Sequence, residues 1–321
     1  MWNDGTNRGE RDAVKFALAA PGLILYPPVM SEWERDARAG DILRVARAAD
    51  EAGWDWLTVP EHIVMPREMA GVMGARFPEA LTAAAVLAGA TRRIKLLTYV
   101  LVLPYRNPVV LAKQVATLDF LSAGRITLGV AGGHLEREFE VLGVPFAERG
   151  VLTDEYIVAM KELWTSPEPS FRGRHVEFEN IAFEPKPVQK PHPPILVGGN
   201  SRPAMRRAAR LGDGWLPWLV TRAELPECLS YIREQPGFAE RSAGFEVVMP
   251  LAPLNVEDYT HRELGETRQP RERDEIINEV GLLERAGATA VQVVPPRTRS
   301  VEELADWTEW FGREIVANSK G

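Results

Sequence analysis

The stretch LLTYVLVLPYRNPVVLAKQVATLDFLSAGRITLGVAGGHLEREFE, residues 96–140, decides the fold. It begins within a largely apolar run, Ile94–Val102, which is typical of a strand buried on both faces. Asn107 then offers an N-cap, and Pro108 suits the first position of the helix that follows. A second short apolar strand, Ile126–Val130, opens into a glycine loop. The stretch therefore predicts a strand–helix–strand unit of a parallel sheet.

The rest of the chain repeats this alternation. Further short apolar strands are predicted at residues 14–19, 56–59, 195–197, 214–218, 245–251 and 290–294. Four helices end at a glycine just before a strand, and we interpret each as a left-handed C-cap: Gly53, Gly124, Gly212 and Gly287. About eight strand–helix units result, so the predicted fold class is α/β, a single (β/α)8 TIM barrel. A doubly wound open sheet is the alternative, and it is disfavoured because no GxGxxG fingerprint follows the first strand.

The predicted domain organisation is simple. Residues 1–13 are polar and are expected to form a disordered leader, and residues 14–321 form the barrel domain. The segments FRGRHVEF and IAFEPKP interrupt the alternation, which indicates a small hairpin excursion between the fourth helix and the fifth strand.

Composition and missing motifs exclude several classes of function. The net charge of −7, without a basic block, argues against a nucleic-acid partner. The single cysteine excludes an internal disulfide, and the spacing of the histidines supports no metal site. No apolar run is long enough to span a membrane, and the N-terminus lacks the apolar core of a signal peptide, so we expect a cytoplasmic protein. Neither a GxSxG hydrolase elbow nor a P-loop occurs.

In a (β/α)8 barrel, chemistry sits where the strands end. Glu61 and His62 follow the strand at 56–59, and His134 follows two glycines after the strand at 126–130. A histidine pKa near neutrality suits proton transfer, so both histidines are candidate catalytic residues. Glu138 is assigned to structural pairing, and the three remaining histidines to the surface: His175, His192 and His261.

The loop Gly198–Ser201 offers a site for a phosphate. It leaves a predicted strand and enters a helix N-terminus, where free amides and the helix dipole attract an anion. The glycines allow close approach of a ligand. A tight turn with an ordinary helix cap is the alternative.

Three stretches together resemble the luciferase-like monooxygenase family: LPYRNPVVLAKQVATLDFLSAGRITLGVAGGHLEREFEVLGVPFAERG, PKPVQKPHPPILVGGNS and RRAARLGDGWLP. The resemblance implies a (β/α)8 barrel that binds FMN or the deazaflavin coenzyme F-420. The whole pattern most resembles the F-420-dependent class of the family.

The resemblance also implies roles for individual residues. His62 matches the histidine that acts at the reacting carbon of the flavin. Glu61 completes the acidic–histidine pair at the strand end, where the family usually has Asp, so Glu61 is a candidate catalytic residue beside His62 and His134. A non-proline cis peptide is implied at Tyr99–Val100. His134 stands where relatives of the sugar-phosphate dehydrogenase type carry a glutamate acid. The cofactor-binding residues implied are Tyr99, Val100, Ala131, Gly132, Gly133, Gly198, Gly199, Asn200 and Ser201.

The expected function is hydride transfer between F-420 and a small organic substrate at the C-terminal mouth of the barrel. An FMN-dependent two-component monooxygenase, using reduced FMN and O2, is one alternative, and a non-catalytic flavin-binding protein is another. The expected partners are a small-molecule substrate, a separate cofactor reductase and a second copy of the chain in a homodimer. The expected substrate-binding residues are Tyr26, Trp33, Met65 and Trp218.

Overall fold

The computed structural model describes residues 13–218, 220–251 and 272–319. Its strands are β1 (Lys15–Ala19), β2 (Trp56–Val59), β3 (Lys95–Thr98), β4 (Leu101–Val102), β5 (Ile126–Ala131), β6 (Phe171–Arg172), β7 (Glu177–Phe178), β8 (Ile195–Gly198), β9 (Gly214–Leu216), β10 (Glu246–Pro250) and β11 (Ala290–Val293). Its α-helices are α1 (Ala39–Glu51), α2 (Ala70–Met73), α3 (Ala80–Ala90), α4 (Pro108–Leu121), α5 (Glu136–Leu142), α6 (Arg149–Thr165), α7 (Arg202–Leu211), α8 (Leu225–Arg233), α9 (Arg273–Ala286), α10 (Val301–Phe311) and α11 (Ala317–Ser319). The predicted leader, apart from Ala13, lies outside the described residues.

Within the described ranges, the strands other than β6 and β7 form one parallel sheet that closes on itself. The order is β3-β2-β1-β11-β10-β9-β8-β5-β4, and an additional pairing of β3 with β5 completes the ring. Because β3 and β4 occupy one position in it, the ring is an eight-stranded barrel with helices between its strands. The predicted (β/α)8 fold is confirmed.

The apolar core has two parts, as expected for a closed parallel sheet. One buried cluster takes a single residue from each of seven strands and fills the barrel interior: Ala17, Trp56, Leu97, Leu196, Leu216, Val248 and Ala290. The larger cluster lies between the outer faces of the strands and the surrounding helices. Tyr99 and Val100 pack against the inner cluster, so they lie at its boundary with the C-terminal mouth.

The local signals in the sequence hold with two corrections. Asn107 caps α4 as predicted, accepting a hydrogen bond from the Val109 amide at 2.9 Å, and β6 pairs with β7 in the predicted hairpin. The predicted continuous strand Ile94–Val102 is wrong, because β3 ends at Thr98 and β4 begins at Leu101.

The predicted left-handed conformation of one helix-end glycine is also wrong. Gly53, Gly124 and Gly287 have positive φ, but Gly212 has φ −92°. At Gly212 space is the reason for glycine, since a Cβ there would lie 2.9 Å from the Ala208 carbonyl oxygen and 3.0 Å from Val197 Cγ2.

Candidate active site

His62 leaves the end of β2 and is held by a buried carboxylate. Its Nδ1 lies 3.1 Å from Glu138 Oε2, and its side chain is 12% exposed. Phe77, from the loop between β2 and α3, packs edge-on against the imidazole with ring centroids 4.8 Å apart. The ring of His62 is therefore fixed on two sides while part of it remains open at the mouth.

Glu138, on the first turn of α5, is 1% exposed. It also accepts hydrogen bonds from the Tyr105 hydroxyl at 2.8 Å and from the amides of Ile63 and Val64 at 2.5 and 3.2 Å. Burial raises its pKa, but the hydrogen bonds from His62, Tyr105 and Ile63 outweigh burial, so the net pKa of Glu138 is lowered. Glu138 is thus an ionised carboxylate at neutral pH, with its oxygens committed to these donors.

Glu61 precedes His62 but points into a different network. Its carboxylate is buried and accepts hydrogen bonds from both terminal nitrogens of Arg106. It also accepts a hydrogen bond from the Val102 amide at 3.0 Å. Arg106 also donates to Glu79 at 2.7 Å, and Glu79 caps α3. These contacts tie the end of β2 to β4.

The segment between β3 and β4 forms part of the floor of the mouth. The peptide bond Tyr99–Val100 is cis, as the resemblance implied. Thr98, just before it, exchanges side-chain hydrogen bonds with the amide and carbonyl of Gly129 at 3.0 and 2.8 Å. A Cβ on Gly129 would lie 2.0 Å from the Thr98 carbonyl oxygen, so only glycine fits beside this turn.

The loop Ala131–His134 lies next to this segment. A Cβ on Gly132 would lie 3.3 Å from Thr153 Oγ1, and Gly133 has φ +82°. His134 is exposed, and its ring centroid lies 6.0 Å from that of His62. Loss of water around the ring and the neighbouring His62 lower the pKa of His134, against an opposing effect of Glu138. The two predicted catalytic histidines are thus neighbours.

The loop Gly198–Ser201 closes the opposite side of the floor. A Cβ on Gly198 would lie 3.3 Å from Val100 Cγ1 and 3.6 Å from Ala131 Cβ. Ser201 caps α7 by accepting from the Ala204 amide at 3.3 Å, which matches the predicted cap. Asn200 Oδ1 accepts from the Trp218 amide at 2.8 Å, so its side chain shapes the loop.

The predicted substrate-binding residues lie in the loops above the barrel. Tyr26 and Met65 are half-buried, and Trp218 is 44% exposed. Trp33 donates from its indole to Thr298 Oγ1 at 3.0 Å, which ties the loop after β1 to the loop after β11. The structure therefore distributes these four residues over three loops: Tyr26 and Trp33 share the loop after β1, Met65 follows β2, and Trp218 follows β9.

Two features of the described ranges bear on other functions. No group of three or more His, Cys, Asp or Glu side chains is arranged to hold a metal ion. None of the helices in this part of the chain has the length and apolar composition needed to cross a membrane.

Residues 18–258 match the model of the family described as luciferase-like monooxygenase. The chain belongs to the luciferase-like monooxygenase family. It is accordingly an oxidoreductase of that family, and its site is to be interpreted as an enzyme site. The resemblance seen in the sequence is confirmed.

Relatives within the family include proteins of assigned and unassigned activity. An uncharacterized protein of Mycobacterium tuberculosis H37Rv is 33% identical over 215 residues, covering 63% of this chain and 74% of the relative. An FMNH2-dependent dimethylsulfone monooxygenase of Pseudomonas putida is 34% identical over 222 residues, covering 67% of this chain and 57% of that enzyme.

Solved structures agree on the fold. The monooxygenase RslO1 of Streptomyces bottropensis superposes with a TM-score of 0.72 at 23% identity, covering 95% of this chain and 99% of the other. The coenzyme F-420-dependent tetrahydromethanopterin reductase of Methanopyrus kandleri gives 0.71 at 16% identity, covering 96% and 100%. At these identities the similarity concerns the barrel itself.

Sequence reasoning missed the partners that hold the predicted residues. Glu138 was assigned to structural pairing, and Tyr105 and Arg106 were not singled out. A signal was available, because Glu138 follows His134 by one helical turn and Tyr105-Arg106 follows a strand end directly. The predicted surface position of His192 is wrong, because its side chain is 8% exposed. The same prediction is confirmed for His175, which is exposed, and His261 lies outside the described residues.

Proposed function

We propose that this enzyme transfers hydride between coenzyme F-420 and a small organic substrate at the C-terminal mouth of the barrel. One observation carries the proposal: a Cβ on Gly198 would lie 3.3 Å from Val100 Cγ1 and 3.6 Å from Ala131 Cβ, so three segments assigned to the cofactor meet at this glycine. The break between β3 and β4, the end of β5 and the end of β8 thus converge on one floor, which carries no bulky side chain at its glycines. Such a floor fits a flat ring system.

The residues around this floor fit a flavin-type group. Gly132 and Gly198 leave backbone open where a Cβ would be tight against Thr153 and Val100. Helix α7 has ten residues, and its N-terminus directly follows Gly198–Ser201. The free amides at such a helix N-terminus can bind a phosphate. When bound, a deazaflavin supplies a carbon centre that accepts or donates hydride.

The protein's own part in the reaction is proton handling and positioning. His62 would hold or move a proton at Nε2, the ring nitrogen that does not contact Glu138. His134, whose ring is close to that of His62, would provide a second group for a polar atom of the substrate. Tyr26, Trp33, Met65 and Trp218 would form walls that keep the substrate flat against the cofactor.

An FMN-dependent, two-component monooxygenase is the second candidate. The relative from Pseudomonas putida, named as FMNH2-dependent, supports it. F-420 is preferred because the whole pattern of the sequence most resembles that class of the family. Reduced FMN would require a separate reductase as partner.

A paired titration of the purified protein with F-420 and with FMN, oxidised and reduced, tests the proposal. We expect micromolar binding of F-420 and negligible binding of either form of FMN, followed by fluorescence or absorbance. Binding of FMN alone would make the enzyme a monooxygenase. Binding of neither would reject the assignment of this floor to a flavin-type cofactor.

Two variants of one residue test the phosphate loop. Gly198→Asp places a negative charge where a phosphate is proposed, and we expect cofactor affinity to fall about 100-fold or more. Gly198→Asn has nearly the same shape without the charge, so it measures the steric part, since Val100 lies close to this position. Equal affinities of the two variants would remove the phosphate from this loop.

A further inference from the structure

The carboxylate of Glu138 joins two backbone amides to two side chains that reach the mouth. Oε1 faces the amides of Ile63 and Val64, and Oε2 faces His62 Nδ1 and the Tyr105 hydroxyl. The two oxygens are therefore not equivalent: one is fixed by main-chain donors that cannot reverse their polarity.

This arrangement determines which nitrogen of His62 carries the proton. An ionised carboxylate can only accept hydrogen bonds, so the neutral imidazole must donate from Nδ1. Nε2 then carries the lone pair. Since His62 follows the end of β2 and its ring is the neighbour of His134, this lone pair is the one available to a substrate.

We propose that Glu138 is the positioning residue of the site, and that it holds His62 in the tautomer protonated on Nδ1 so that Nε2 exchanges the proton during turnover. The role in turnover rests on the proposed function. The tautomer itself does not, because it follows from contacts within the protein. Tyr105 acts through Glu138, since its hydroxyl holds the same oxygen that His62 contacts.

The substitution Glu138→Gln gives a directional test. The amides of Ile63 and Val64 need an acceptor at the Oε1 position, so the glutamine must place its carbonyl oxygen there. Its NH2 group then occupies the Oε2 position and donates to His62 Nδ1. The imidazole must move its proton to Nε2, while the shape of the side chain is nearly unchanged. We therefore expect Glu138→Gln to invert the tautomer.

The experiment is nitrogen NMR on cofactor-free protein labelled with 15N-histidine, at about pH 8, where an ordinary histidine is neutral. The chain has five histidines, and the spectrum of His62→Gln identifies the His62 signals. In the wild type we expect a pyrrole-type Nδ1 and a pyridine-type Nε2, and the reverse in Glu138→Gln. Glu140→Gln is the matched control, because Glu140 lies on the same helix and pairs with Arg137 at the surface.

The wild-type spectrum alone can overturn the proposal. A pyridine-type Nδ1 in the wild-type His62 would do so, and so would an unchanged tautomer in folded Glu138→Gln. Tyr105→Phe should keep the wild-type tautomer, because the carboxylate and its amides remain. In turnover, Glu138→Gln should lower kcat about 100-fold or more with little change in KM.

The titration with F-420 and FMN keeps the two proposals apart. A wild-type protein that binds neither cofactor, yet shows the expected tautomers, would reject the proposed function and leave Glu138 as the residue that orients His62. Unchanged kcat in Glu138→Gln, with cofactor bound and the tautomer inverted, would remove His62 Nε2 from the reaction.

Discussion

The two ends of the barrel carry clusters of similar composition. At the C-terminal mouth, His62 contacts Glu138, and Arg106 pairs with Glu61 nearby. At the N-terminal face, His192 Nδ1 lies 3.8 Å from Asp213 Oδ2, Arg241 lies 3.2 Å from the other oxygen, and Lys161 is close by. The two histidine side chains are almost equally buried, at 12% and 8% exposed.

The difference lies in what each cluster connects. Asp213 accepts a hydrogen bond from the Ile195 amide at 2.9 Å, and Lys161 donates one to the Leu211 carbonyl at 2.8 Å. These side chains therefore stabilise the backbone at the start of β8 and just before β9. His192 directs Nδ1 at the Pro193 carbonyl, 2.9 Å away. The mouth cluster instead adjoins the glycine loops. Position in the barrel, and not residue type, is therefore the basis on which we predict a stabilising role for His192 and a catalytic role for His62.

The largest expected effect concerns His62 and His192 as a pair. His62→Ala should lower turnover by about 10²–10⁴-fold while cofactor binding is retained, because a positioned acid or base is lost. His192→Ala should leave turnover unchanged and lower the free energy of unfolding by about 1–3 kcal/mol, because a buried, hydrogen-bonded side chain is lost. Steady-state kinetics and urea unfolding on both variants measure the two effects.

The opposite pattern would break the comparison. Unchanged turnover in His62→Ala would leave a protein that binds its cofactor without using the mouth histidine, as a non-catalytic binder would. A loss of turnover in folded His192→Ala would require coupling between the two ends.

The next largest effect is on stability and concerns Gly129 in β5, a strand of the barrel wall between the two ends. Gly129→Ala should destabilise the protein by about 1–3 kcal/mol or more, because the new Cβ would lie 2.0 Å from the Thr98 carbonyl oxygen and 2.7 Å from Leu216 Cδ1. Gly89→Ala is the matched control, since that helical position has nothing within 4 Å. The control should be neutral or stabilise by up to about 1 kcal/mol. Thermal or urea unfolding compares them, and equal stabilities would mean that Thr98 can move.

Much of the fold follows from local signals in the sequence. Apolar runs predicted the barrel strands, and the Asn107 cap and three helix-end glycines behave as their chemistry requires. The break between β3 and β4 was not predicted, because Thr98 and Gly129 replace a stretch of the strand ladder with side-chain bonds. That exchange is a long-range contact, and an apolar run does not encode it.

The site was predictable as a set of positions but not as a network. Strand ends placed His62, His134 and Gly198 at the same mouth. The partners could not be assigned, because Glu138 meets His62 across 76 positions of sequence and Arg106 meets Glu61 across 45. Tyr105 contacts Glu138, whereas the adjacent Arg106 contacts Glu61. This choice depends on the direction of each side chain, and the local sequence pattern carries little information about that direction.

The N-terminal face should also make the stability of the fold depend on pH in the range where histidines titrate. Burial, with a contribution from Lys161, lowers the pKa of His192 from its ordinary value of 6.5, although Asp213 and the Pro193 carbonyl oppose it and Arg241 adds to it. Below about pH 6.5 His192 therefore binds a proton in the unfolded chain but remains neutral in the folded protein. The free energy of unfolding falls as pH falls in this range. His192→Gln should reduce this loss between about pH 7.5 and about pH 5 in urea unfolding. An identical pH slope in the two proteins would contradict it.

The smallest effect on the free energy of unfolding is expected for a substitution of His134. It compares a histidine at the mouth with His192 at the N-terminal face. The pKa of His134 is also lowered, so the sign is the same: protonation below about pH 6.5 favours the unfolded chain. Because His134 is exposed, solvent screens its charge, and His134→Gln should change the free energy of unfolding by less than about 0.5 kcal/mol at any pH in that range. Urea unfolding beside His192→Gln measures the difference. A slope change as large as that of His192→Gln would mean that His134 is closed off from water in solution. The mouth would then share the enclosed character of the opposite face, and a substrate would need an opening motion to reach His62.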